Sequence, residues 1–212
     1  MLRTRARSGP PPARLPRRAA RGFSIIEVVI TIAVMGILLA AAMPSIGDWL
    51  RSVRVRNATE GIVNGLQQAR AEAVRRNRPV SFSLVTADAA RPTELSNSCA
   101  LASNSASWVV SLNSPAGTCG TEPSPGGTLV AKRAAGDGSG GVTVTALQAD
   151  GTTAASQVTF NGFGQVTNGT AIARIDLSAT GGGGRSLRVL VGNGGAVRSC
   201  DPAASSGDPR GC

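Results

Sequence analysis

At 212 residues the chain has room for one domain with appendages, and with no His, no Tyr, four Cys and few aromatic residues it has little material for acid–base or metal chemistry. An enzyme, a metal site and a bound cofactor are therefore not expected. The formal charge of +10 suggests nucleic acid, but seven Arg and no acid lie in residues 1–22; the rest holds 15 basic against 12 acidic residues, and residues 79–212 balance at eight each, which makes generic phosphate neutralisation a poor default.

Residues 1–22 read as a basic leader. The next 24 residues, Phe23 to Ile46, contain one charge, and at ~1.5 Å per residue a helix of that length reaches ~36 Å, enough to cross a ~30 Å hydrocarbon core. Arginines before the span hold the leader in the cytoplasm and send the chain after Ile46 across the membrane. The expected location is a bacterial inner membrane, with a single pass and the head in the periplasm.

Glu27 is the one charge in the apolar run. A lone carboxylate there costs ~3 kcal/mol or more unless it is paired. Cleavage before Phe23 would create an α-amino cation at similar depth, and a neighbouring subunit's amine fits Glu27 better than its own. The plain alternative is a carboxylate that snorkels or suits the positive helix end.

The run Arg21-Gly22-Phe23-Ser24-Ile25-Ile26-Glu27, followed by apolar residues, resembles the class III signal of type IV pilins and type II secretion pseudopilins. The resemblance implies cleavage between Gly22 and Phe23 by a prepilin peptidase, N-methylation of Phe23, and a role for Glu27 in assembly with other pilins or pseudopilins. Pro44 is similar to that family's kinking proline, and Pro breaks a helical hydrogen bond in any case. Two other routes are open to such a chain. Ala40-Ala41-Ala42 could end an ordinary secretory signal, although Phe23 to Ala42 exceeds an h-region of about 7–15 residues. An uncut single-span anchor fits the length equally well.

Residues 47–78 continue as an amphipathic helix, with Ile46, Leu50, Val53, Ala58, Ile62, Leu66, Ala69 and Ala73 mostly three or four apart. Arg51, Arg54, Arg56, Arg70, Arg75 and Arg76 read as a solvated face. Gly61 and Gly65 weaken the helix locally. Asn77-Arg78-Pro79 predicts its end.

From residue 79 to 212 the period changes to two. Strands are predicted from Val80, over Trp108–Leu112, Thr128–Lys132, Val142–Leu147, Val158–Phe160, Ile172–Leu177, Ser186–Val191 and Ala196–Ser199. Asn161-Gly162 and Asn193-Gly194 are hairpin signals. Gly/Ser/Pro/Ala stretches at 97–107, 114–127, 134–141 and 180–184 read as surface loops. The fold class is α+β: a long N-terminal transmembrane and amphipathic helix, a pilin stem, packed on a mostly antiparallel β head.

The head is similar to the minor pilin and H-type minor pseudopilin group (GspH/FimT/FimU-like). The carrying residues are Asn57 to Arg78, Phe160-Asn161-Gly162-Phe163-Gly164, and Gly194-Gly195-Ala196-Val197-Arg198-Ser199-Cys200-Asp201-Pro202. In an oxidising compartment the four Cys favour disulfides, with three pairings possible. Cys99 with Cys119 and Cys200 with Cys212 is the preferred set, because each closes a local loop rich in Gly, Ser or Pro, and tying Cys212 back to Cys200 is worth ~3 kcal/mol by loop entropy.

The resulting expectation is a minor pilin or pseudopilin that helps initiate or cap a filament. A second reading is a DNA-binding minor pilin for uptake. Some FimT-like members carry a Gly-Arg-x-Arg tail, but here Gly195-Ala196-Val197-Arg198 lacks the first Arg, leaving Arg185, Arg188 and Arg198 as candidate contacts. A third is a membrane-tethered binding domain that never polymerises. Twitching pili, DNA-uptake pili and type II secretion share the stem chemistry.

Overall fold

The computed structural model describes residues 22–205 and 207–212, with the side chains of residues 42–45 outside that description. Leader residues 1–21 lie outside it too, as does the Pro44 side chain on which a kink is expected. A helix, α1, runs from Ile25 to Arg76, followed by eight strands. The chain divides into two compact units between Met43 and Pro44.

In the first unit, apolar side chains are exposed on every side of the helix: Ile25, Val29, Ile32, Ile37 and Leu38 are all more than half exposed. Glu27 sits in the first turn, where a carboxylate suits the helix dipole. Among the described residues no single helix is by itself long and apolar enough to cross a membrane; Ile25–Ala41 and Ile46–Arg76 pass that test together.

In the second unit α1 buries Val55, Ala58, Ile62, Leu66, Ala69 and Ala73, a stripe with steps of three and four. The stripe starts later than the sequence suggested. Ile46 and Leu50 are exposed and Val53 is half-buried, because counting back from Ile62 in helical steps lands on Ala58 and Val55. Asn77 ends the helix in the left-handed region at φ 48°. Its N–H donates to Val74 O and that of Arg78 to Ala73 O, the paired bonds of a Schellman cap, and Pro79 bars continuation.

Two four-stranded antiparallel sheets complete the head. The first comprises β1 (Val80–Leu84), β2 (Trp108–Ser111), β3 (Leu129–Arg133) and β5 (Gln157–Phe160), in the order β3-β2-β1-β5. The second comprises β4 (Val142–Leu147), β6 (Arg174–Ala179), β7 (Leu187–Val191) and β8 (Val197–Cys200), in the order β4-β6-β7-β8. The helix stripe, Phe82, Trp108, Val110 and Phe160 of the first sheet, and Val144, Ile175, Leu177 and Val189 of the second, form one core. This is the α+β architecture read from the sequence.

The alternation at β1 predicted one wet face, yet all five of its residues are buried. The cause is a second small core on the far side of the first sheet, built from Val85, Leu95, Cys99, Val109, Cys119, Leu129 and Ala134. The Gly/Ser-rich segments around 97–127 are therefore more than surface loops, since they cover Val109 and Leu129 and are tied by a disulfide between Cys99 and Cys119. Ser81 and Ser83 are tolerated inside because their hydroxyls bond Thr159 Oγ1 and Gln157 Nε2 on β5.

The two Asn-Gly signals have different outcomes. Asn193-Gly194 does join β7 to β8, as a three-residue loop: Gly192 N–H donates to Ala196 O, and Gly195 takes φ 78°. Asn161-Gly162 does not link two strands of one sheet. It closes a local hairpin through the Phe160–Val166 bridge, its Asn161 Oδ1 accepting from the N–H groups of Phe163 and Gln165, before the chain crosses to the second sheet.

Candidate functional site

Apart from Pro44, the predicted site residues lie within the described part of the chain. Phe23 is 83% exposed ahead of the helix, and a Cβ on Gly22 would meet nothing within 4 Å, so the Gly22–Phe23 bond is open to approach. Glu27, one turn on, is also exposed.

Cys200 and Cys212 are bonded across a separation of 12 residues, and there are no free thiols among the described residues. This bridge clips the C-terminus onto the end of β8, where Asp201 N–H donates to Arg210 O at 2.7 Å in a parallel bridge between Asp201 and Gly211. Asp201 is buried and its carboxyl is held below the usual range, first by the Ala203 N–H and then by Arg185.

The three arginines proposed for DNA do not form a free basic patch. Arg185 pairs with Asp201 at 2.6 Å and Arg188 with Asp176 at 2.5 Å, and Asp176 also holds Arg174 at 3.0 Å. Arg198 is exposed and has no ion pair among the described residues. Two of the three charges are thus matched within the head. No cluster of His, Cys, Asp and Glu suited to a metal occurs among the described residues.

The solvated-face reading of the stem arginines misses an ion cluster. Glu72 is buried, accepts from Arg75 at 2.5 Å and also bonds Arg76, which donates on to Gly127 O at 2.9 Å. Hydrogen bonding from Arg75, with help from Arg76, holds the Glu72 carboxyl down at about 2 against the ordinary 4.5. The i,i+3 and i,i+4 spacing from Glu72 was the available signal. Arg70 is likewise engaged, its Nε donating to Gly164 O at 3.1 Å and tying the helix to the Asn161–Gly164 turn.

Sequence reasoning also missed a cleft of about 740 Å³ between α1 and the β7–β8 turn. Ala71, Val74, Ala196 and Val197 supply its apolar lining, and Arg70 and Arg75 its rim. Val74 is 51% exposed, and Phe163 protrudes from the neighbouring turn.

Residues 58–195 match the family described as type II transport protein GspH, and residues 17–43 match the prokaryotic N-terminal methylation motif. The chain belongs to the GspH family. It is accordingly a structural, non-enzymatic protein of the pseudopilin type. The motif on an apolar N-terminal helix fits a pseudopilin anchored in the inner membrane. Two crystal forms of the type IV minor pilin FimU of Pseudomonas aeruginosa (strain PAO1) are similar in structure. One has 15% identity and a TM-score of 0.44, covering 72% of this chain and 92% of that one. The other has 13% identity and a TM-score of 0.40, covering 72% and 97%. No curated protein matches the chain.

Proposed function

We propose that this GspH-family chain is a minor pseudopilin or pilin subunit that helps to initiate or cap its filament, delivered as a single-pass inner-membrane precursor with its head in the periplasm. In this reading residues 1–22 are the leader, 23–46 the membrane and assembly helix, 47–78 the amphipathic stem and 79–212 the head. A prepilin peptidase cuts between Gly22 and Phe23 and methylates Phe23. Glu27 then meets the amine of an adjacent subunit.

The observation that carries the reading is the apolar surface exposed all round Ile25–Ala41, interrupted by the single charge of Glu27. Such a helix needs lipid or other apolar helices around it, and filament assembly exchanges the first for the second. Intact-mass measurement on membrane-extracted protein tests it. A chain that begins at methylated Phe23 is the expected product; one that begins at Met1 or Met43 overturns the reading. Glu27→Val should leave cleavage intact and lower incorporation into filaments.

A further inference from the structure

The second sheet ends in two edge strands, β4 and β8. β8 is an edge strand paired only with β7. Because Gly192 N–H donates to Ala196 O, the ladder bonds of this antiparallel pair run through Ala196, Arg198 and Cys200. Val197 and Ser199 therefore point their N–H and C=O groups away from β7, and no other backbone or side-chain partner takes them up among the described residues.

The same edge already accepts a strand two residues further on. Asp201, in phase with Val197 and Ser199, bonds Arg210 in the parallel bridge to the tail, with Cys200–Cys212 holding that tail in place. Continued in that parallel register, Ser199 would need Asp208 O and the Arg210 N–H, but the Arg210 N–H donates to Asp208 Oδ1. The tail turns away there, with Gly211 N–H bonded to Asp208 O. The chain thus covers one end of its edge and leaves Val197–Ser199 open.

Beside that open stretch lies the cleft between α1 and the β7–β8 turn, with Ala71, Val74 and Val197 as apolar lining. Arg70, on the rim of the cleft, and Arg198, on the face of β8 opposite Val197, have no carboxylate partner among the described residues. We infer that an extended, carboxylate-bearing segment of a neighbouring pilin-type subunit adds to β8 at Val197 and Ser199, seating an apolar side chain over Ala71 and Val74. Strand addition uses an exposed edge for affinity and adjacent pockets for specificity, and an unprotected edge is otherwise an aggregation hazard. The two arginines select an acidic strand.

The inference rests on the assembly reading above, and the test separates the two. The full-length chain, carrying a photo-crosslinking residue in place of Ala71, is expressed in cells that assemble its filament. The expected product is a cross-link that mass spectrometry maps to an extended segment of another pilin-type subunit. Val197→Pro removes one edge N–H and no ladder bond, so it should abolish that product with the melting temperature unchanged; Arg198→Glu should weaken it. Should Val197→Pro lower the melting temperature, Val74→Glu, which touches no backbone bond, must abolish the product instead. Cross-links that survive these changes, or that map to a helix or to a second copy of this chain, overturn the inference, as does incorporation without any cross-link. Failure of the unaltered chain to enter filaments counts against the assembly reading itself.

Discussion

The two sheets share one core with α1, but their outer faces differ. The first sheet is covered twice, by α1 on one side and by the loops flanking β2, joined by the buried Cys99–Cys119 bridge, on the other. The second sheet is covered once, and its outer side carries Arg174, Asp176 and Arg188 in a surface ion network while its edge is clipped by Cys200–Cys212. The same covalent bond thus completes a small core in one place and secures a terminus in the other. A Cys pair read from sequence alone does not disclose which of these it does.

The sharpest way to break this comparison is to remove each bridge separately. Loop-closure entropy for separations of 20 and 12 residues gives about 3.3 and 2.8 kcal/mol, nearly the same. Burial adds more to the first, where both sulfurs lie inside, than to the second, where Cys200 is buried and Cys212 exposed. Cys99→Ala with Cys119→Ala should therefore cost about 4 kcal/mol or more in denaturant unfolding, and Cys200→Ala with Cys212→Ala about 2–3 kcal/mol. Equal losses would show that the second core contributes nothing beyond the cross-link.

Next in size is the contact between α1 and the doubly covered sheet. A Cβ on Gly65 would stand 2.8 Å from the Phe82 ring and 3.0 Å from Trp108, whereas one on Gly61 meets the movable end of Arg133. Gly65→Leu should destabilise by about 2 kcal/mol through overpacking. Gly61→Ala should be neutral, or stabilise by up to about 1 kcal/mol through helix propensity. Thermal melts of the two variants check the contrast.

Glu72 tests a buried charge against a surface one. Its folded pKa of about 2 lies below the ordinary 4.5, so its stabilising contribution is complete above about pH 4.5 and is lost as the pH falls towards 2. Glu72→Gln should cost about 1–2 kcal/mol at neutral pH, discounted because Arg75 is largely exposed, and should flatten the acid limb of the stability curve. The smallest effect belongs to the singly covered sheet. Arg188→Ala should cost less than about 1 kcal/mol, and less still at high salt.

Much of this fold was legible because one periodicity gives way to another at a marked boundary. Asn77-Arg78-Pro79 ends the helix and β1 starts at Val80, and all eight strands fall on predicted segments within two residues at either end. The double burial of β1 was not legible, because its second cover comes from loops whose composition looks solvated. The onset of the helix stripe was misjudged for a related reason: Ile46 and Leu50 are as apolar as the core residues and only their phase excludes them. Of the candidate site, the Gly22–Phe23 bond and Glu27 carry a local signature, a basic leader before the one and an otherwise apolar run around the other. The Arg185–Asp201 and Arg188–Asp176 pairs join residues 16 and 12 apart, and the edge geometry of β8 depends on a tail 10 residues on, so neither has a local signature.

The close seat of Gly65 has a mechanical meaning. With no side chain to act as a bearing between them, the Phe82 and Trp108 rings lie directly against the helix backbone, and on the far side those strands are braced by the cross-linked cover. Helix and head are keyed together like a gear on its shaft. Load carried by this part of the helix therefore bears on the first sheet through the direct contact at Gly65, with no intervening side chain to give way.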